Sequence, residues 1–263
     1  MQKPAPFAPN KNDKGKNRMK LDWRAVGEYY KDLRPRTLRT PKYQHLFLIL
    51  FWPAFGLVFF SLEKALPIIW QRITGDPLIY REVVCAWDAY IPFCEWFVIP
   101  YYFWFAFMFL TGAYGVLFDV RSFRFFSWLV ITTYSVTVLI YLIWPNMQAL
   151  RPTDIPRDNW MVDIVHGLYN FDTNTNVCPS IHVLGALATC FAGIHGATLR
   201  TWGWRCYFII STVAITLSTV FLKQHSILDI FAALAVFAVC YPLVYFVILR
   251  QKTPHGRCKT KEA

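Results

Sequence analysis

The chain has 263 residues, 56% of them hydrophobic and 18% aromatic against only 16% charged, and a formal net charge of +11. Those proportions, with the apolar residues in uninterrupted runs, exclude an ordinary water-soluble domain and indicate an integral membrane protein. The charge does not indicate nucleic acid: of 27 Lys and Arg, twelve precede Tyr43 and five follow Leu249, as basic tails beside apolar spans do, and the aromatic–basic interleaving of single-strand binders is missing.

In chain order, residues 1–44 form a basic tail. Trp23, Val26, Tyr30 and Leu33 recur at helical spacing with Arg24, Lys31 and Arg34 close by. This suits a short helix on the inner leaflet, ended by Pro35. A disordered tail is the reading for residues 1–20 and the alternative for the rest. No cleavable signal peptide is expected, because more than forty polar residues precede the first apolar run.

The first span is predicted at 45–63. The loop 64–94 is half apolar, with LPIIW early and DAYIPF (Asp88–Phe93) late, and is read as an interfacial or re-entrant segment. Spans follow at 95–118 and 125–144, joined by a short basic connection carrying Arg121 and Arg124. Beyond them come Arg151-Pro152, then Asp163, His166, Tyr169, Asn170 and Asp172 on the approach to NVCPSIHV (Asn176–Val183). These approach residues would read a headgroup or be solvated loop residues. A fourth span is predicted at 180–199, a basic connection with Arg200 and Arg205, a fifth at 204–222 and a sixth at 227–249, before the basic tail 250–263. Each run is near the roughly 20 residues a helix needs to cross a bilayer.

With both termini inside, 21 Lys and Arg lie on the cytoplasmic side and six on the other, which predicts cytoplasmic N and C termini. The expected fold is therefore all-α: a polytopic protein of the cell membrane, with six transmembrane helices in a domain spanning 45–249. The seven cysteines contain no C-x-x-C pair and point to neither a zinc site nor a disulfide framework. Cys85, Cys94 and Cys178 share one side, where a bridge is allowed by placement alone.

Three polar elements fall at one membrane depth on the extracytoplasmic side. Arg151 and Pro152 follow the third span. Ser180 of PSIH stands at a helix start, where free backbone N–H groups make an anion site, and His182 lies two residues in. Between the last two spans, FLKQHSILDI (Phe221–Ile230) sets His225 and Asp229 four apart, on one helical face. A carboxylate bonded to one imidazole nitrogen leaves the other free as nucleophile or base. The competing structural reading is a capping box, Ser226-x-x-Asp229, which accounts for Asp229 but not for His225 or Lys223. Together the elements supply cations (Arg151, Lys223), backbone donors, and two imidazoles, an inventory sufficient for phosphoryl transfer. Metal ligation by His182, His225 and Asp229 is the rival use, disfavoured by the neighbouring cations.

These residues resemble the type 2 phosphatidic acid phosphatase superfamily of membrane phosphatases and phosphotransferases, whose pattern is Lys-x6-Arg-Pro, Pro-Ser-Gly-His and Ser-Arg-x5-His-x3-Asp on a six-span core. The chain carries Arg151-Pro152, Pro179-Ser180-Ile181-His182 and Ser218-Thr219-x5-His225-x3-Asp229, in that order. It departs in three places. Trp144 replaces the lysine, and Thr219 replaces the arginine. Ile181 replaces the glycine, as in the Pro-Ser-Leu-His version of the inositol phosphorylceramide synthase branch; Asp88 and the following IPF resemble the same branch. Lys223, one helical turn after Thr219, is expected to deliver its ammonium in the arginine's place.

The resemblance implies a metal-independent lipid phosphatase without cofactor, acting on a lipid phosphate or diphosphate at the extracytoplasmic surface. His225, oriented by Asp229, would attack phosphorus, and His182 would protonate the leaving alkoxide and then activate the acceptor. Arg151, Lys223 and Ser180 would hold the non-bridging oxygens. With a lipid hydroxyl or inositol as acceptor, the same residues would make a headgroup phosphotransferase of the inositol-phospholipid or sphingolipid synthase type. From another class, the chain would be a non-catalytic transporter or scaffold; a transporter more often shows polar residues at mid-span or a broken helix.

Overall fold

A computed structural model describes residues 22–196, 199 and 201–249. The tail 1–20, Arg200 and the tail 250–263 lie outside the described residues. The protein is mostly helical. In chain order the α-helices are α1 (Trp23–Tyr30), α2 (Phe51–Thr74), α3 (Val98–Phe118), α4 (Val120–Ile143), α5 (Trp160–Phe171), α6 (Ile181–His195), α7 (Trp202–Phe221) and α8 (Ile227–Val244). A 3-10 turn, Gln44–Leu50, leads into α2, and two short parallel strands, β1 (Arg81–Glu82) and β2 (Asn146–Met147), pair with each other.

Five helical stretches are long and apolar enough to cross a membrane: Gln44–Thr74, Glu95–Phe118, Val120–Ile143, Trp202–Phe221 and Ile227–Ile248. The element expected as the fourth span is shorter. α6 has 15 residues, which at about 1.5 Å per residue falls short of a hydrocarbon core of about 30 Å. It lies at the centre of the bundle, packed against α3, α4, α7 and α8. Its sequence, IHVLGALATCFAGIH, explains the position: small residues all round let four neighbours approach, and a helix apolar on every side is a buried one. A side chain at Gly185 would meet the Tyr134 hydroxyl at 2.5 Å and Met108 Sδ at 2.7 Å. At Gly193 it would run into the Phe208 ring.

The opposite case is α2. Only Leu62 and Leu66 are buried along its 24 residues. The helix runs eleven residues past the expected end at 63, through Lys64 and Pro67, to a left-handed Gly75 that closes it. LPIIW is therefore helix rather than loop. The charge and the proline are both accommodated on a mostly exposed rod.

At the other end of the bundle, Asp22 caps α1 by accepting from the backbone N–H groups of Arg24 and Ala25. Trp23 sets its ring edge against Phe118, and the Tyr30 hydroxyl donates to the Val116 carbonyl at 2.7 Å. A short helix is thus present over Trp23–Tyr30, ending before Leu33 and the expected stop at Pro35, and it docks on the end of α3. All six described cysteines are unpaired, so no bridge joins Cys85, Cys94 and Cys178.

Candidate active site

The three polar elements meet at one end of the bundle, where α6 and α8 begin and α4 and α7 finish. Asn146, fully buried in β2, holds the loop before α6. Its Oδ1 accepts from the N–H groups of Val177 (2.9 Å) and Cys178 (2.8 Å), and its Nδ2 donates to the carbonyls of Cys178 (2.9 Å) and Trp144 (3.0 Å). Two tyrosines of α4 fix two of the residues that follow: Tyr141 donates to the Pro179 carbonyl at 2.6 Å, and Tyr134 to that of Ile181 at 3.0 Å. Ser180 is the N-cap of α6, with Oγ 3.5 Å from the Val183 nitrogen. The start of α6 is therefore set by side chains that carry no charge.

His182, 6% exposed, lies between the rings of Tyr101 (4.4 Å between centroids) and Trp104 (4.6 Å). Its centroid is 5.8 Å from that of His225, the rings inclined at 62°. His225 Nδ1 is 2.9 Å from Oδ2 of the fully buried Asp229. The same oxygen accepts from the Ser226 N–H at 3.1 Å, so the histidine partner and the capping box are both real and share one atom. Asp229 Oδ1 has no hydrogen-bond partner, and beside it stands the Cys178 thiol, a weak donor whose pKa burial and Asp229 push up.

Arg151 is held as a half-buried clamp. Its guanidinium donates to the carbonyls of Tyr169 (3.1 Å), Asp172 (2.7 Å) and Thr173 (2.9 Å) and to Gln224 Oε1, and lies 4.7 Å over the Tyr169 ring. Burial lowers its pKa, with Asp172 acting in the other direction. Burial pushes the Tyr169 hydroxyl up to about 12, and the same guanidinium opposes the rise. Thr219 turns its hydroxyl back to the Thr216 carbonyl, while its own carbonyl accepts from both Gln224 and His225 N–H. Lys223 has a left-handed backbone (φ 54°), and its ammonium donates to the Asp88 carbonyl at 2.7 Å. Burial lowers the Lys223 pKa and the nearby Asp88 opposes it. Two of the ammonium's three protons are left for other acceptors.

Around this constellation several buried polar atoms have no partner: Arg151 Nε, Asn176 Nδ2 and Oδ1, Gln224 Nε2, Trp104 Nε1 and His182 Nδ1. Four of these groups, Arg151, Asn176, Gln224 and Trp104, thus bring a donor that meets no acceptor. Buried donors are normally satisfied, so unsatisfied ones on residues of this region suit an anion with several acceptor oxygens.

An apolar cavity of about 750 Å³ runs between α2 and α3, walled by Trp52, Phe55, Phe59 and Phe105, and reaches His182 and Asp172 at one end. Asp172 accepts from the Tyr101 hydroxyl at 2.8 Å, and Thr173 donates to Glu63 of α2.

Of the approach residues, Tyr169 and Asp172 are built into the site, whereas Asp163, His166 and Asn170 are exposed on α5. Asn146, Gln148, Asn176, Tyr101 and Trp104 carried no signal read from sequence. Amides amid the apolar WPNMQAL were the available hint, since Gln148 donates to the carbonyls of Lys223 (2.9 Å) and Gln224 (3.2 Å) and so joins the first element to the third. Comparison with protein-family models, curated proteins and solved structures found no match to this chain.

Proposed function

We propose that the chain is a membrane lipid phosphatase of the type 2 phosphatidic acid phosphatase kind, with six spans, cytoplasmic termini and an extracytoplasmic site. On this reading α6 is the fourth of the six spans, short because it is enclosed by the other helices. The observation that carries the proposal is the pair of facing imidazoles, one held by a buried carboxylate, amid unsatisfied buried donors.

In the proposed reaction Asp229 keeps the proton on His225 Nδ1 and leaves Nε2 its lone pair. Nε2 attacks phosphorus, the P–O bond to the lipid breaks, and protonated His182 gives its proton to the departing oxygen. Water then attacks the phosphohistidine, His182 takes a proton from it, and the P–N bond breaks to release inorganic phosphate. Arg151 Nε and the Gln224, Asn176 and Trp104 donors supply the charge stabilisation that such transfers need. Lys223 and Ser180 add an ammonium and a helix N-terminus. The aromatic cavity reaching His182 suits the hydrocarbon part of the leaving alcohol.

The test is phosphate release from a panel of lipid phosphates and diphosphates in detergent with EDTA, comparing the unsubstituted chain with His225→Ala. Release that survives EDTA, is blocked by vanadate and is lost in the variant is expected. Release that continues in His225→Ala would overturn the mechanism. Lipid phosphate consumed only when a polyol acceptor is added would move the assignment to headgroup transfer.

A further inference from the structure

Asp88 is 2% exposed, on a 3-10 turn (Ala86–Tyr90) far in sequence from all three motifs. Its Oδ2 accepts from the Ser226 hydroxyl at 2.6 Å and the Cys85 N–H at 2.9 Å, and its Oδ1 from the Ile227 N–H at 2.9 Å. Its carbonyl receives the Lys223 ammonium. Burial alone would raise the Asp88 pKa, but the donors from Ser226, Ile227 and Cys85 outweigh it and hold the carboxyl below its usual range.

Ser226 is thereby gripped from two sides. Asp88 accepts a hydrogen bond from its hydroxyl, and Asp229 accepts from its backbone N–H with the same oxygen that faces His225 Nδ1. With its hydrogen committed to Asp88, the Ser226 oxygen presents a lone pair to the Leu228 N–H at 3.1 Å, which closes the first turn of α8. The segment bearing Asp88 is tied on both flanks. Val83 N–H donates to the Met147 carbonyl and Cys94 N–H to that of Phe221, and Phe97 stacks on Phe221 at 4.3 Å. The stretch 81–97 therefore straps β2, which holds the start of α6, to the α7–α8 connection, which holds His225.

We propose that Asp88 is a positioning residue for His225, acting through Ser226: the carboxylate fixes the start of α8, and with it the angle at which Asp229 presents the imidazole. The inference rests on the proposed phosphatase reaction for its kinetic readout. It has no acid–base role in the chemistry. Asparagine at 88 offers one acceptor oxygen where the structure uses two, so a donor from Ser226, Cys85 or Ile227 would face an amide NH2.

The experiment is a double-mutant cycle on phosphate release with Asp88→Asn, Ser226→Gly and the pair. Glycine is the replacement at 226 because it is also a good N-cap and keeps α8 started. A misplaced reacting group costs up to about 100-fold, so each single variant is expected to lose about 10- to 100-fold in kcat with KM within about twofold. The double variant is expected to be no slower than the worse single one, because both remove the same link. Losses that multiply, or a loss confined to KM, would overturn the proposal. A readout independent of turnover is acylation of His225 by diethyl pyrocarbonate, followed by peptide mass spectrometry with exposed His166 as internal control. His225 is expected to react more slowly in Asp88→Asn and Ser226→Gly while His166 is unchanged; equal rates at His225 would refute the positioning role even if no lipid phosphate were turned over. Should Asp88→Asn fail to fold, Ser226→Gly alone carries both readouts.

Discussion

At the scale of single residues, the site depends on neutral amides as much as on ionised groups. Asn146 shows why. Its side chain makes four hydrogen bonds to backbone around the loop that starts α6. Alanine there would strand the buried N–H groups of Val177 and Cys178 and the Cys178 carbonyl, each costing about 1–3 kcal/mol. Asn146→Ala is expected to lose about 3 kcal/mol or more by thermal unfolding in detergent, and protein that remains folded should turn over slowly, because Ser180 and His182 come directly after that loop. A loss below about 1 kcal/mol would mean that the loop is held by Tyr141 and Tyr134 instead. Arg151 teaches the converse lesson. A cation expected to face phosphate directly spends four of its hydrogen bonds on Tyr169, Asp172, Thr173 and Gln224. Nε and the second hydrogen of Nη1 are left for an anion.

At the scale of elements, α6 is held by shape. Gly193 admits the Phe208 ring, itself 2% exposed and without room to move aside. Alanine gains about 1 kcal/mol of helix propensity but here overpacks a closed contact, at about 1–3 kcal/mol. Gly193→Ala should therefore lower the unfolding temperature. Gly167, on the exposed face of α5 with nothing within 4 Å of its missing side chain, is the control: Gly167→Ala should raise it. Equal shifts would contradict the close-packing account. The long helices were readable in the sequence because twenty apolar residues in a row leave few alternatives. The length of α2 was not, since Lys64 and Pro67 are ordinary markers of an end and only the fold shows them tolerated on an exposed rod. His225 and Asp229 were readable as a pair because helical spacing makes them neighbours locally. The partners of Arg151 and the role of Asp88 were not, because carbonyls of a distant loop and a cap supplied from 138 positions away have no local pattern.

At the scale of the whole molecule, the elements divide the labour: α3, α4, α6, α7 and α8 make a packed bundle, and α2 stands off it with most of its surface exposed. The gap this leaves is the aromatic cavity that ends at His182. Several of its walls, Phe60, Phe105 and Phe109 among them, are more than half exposed, so the cavity is open along the flank of the bundle. On the proposed phosphatase reading, with a bilayer as solvent, that opening makes the concentration that matters a two-dimensional one. The rate should track the mole fraction of substrate within the micelle or vesicle, not its molarity in the tube. Diluting the substrate with inert detergent at constant bulk concentration is expected to slow turnover in proportion, and a rate indifferent to that dilution would show that substrate arrives from the water. On that reading the protein would sample its substrate by lateral diffusion, and its activity would become a gauge of how crowded its own leaflet is with that lipid.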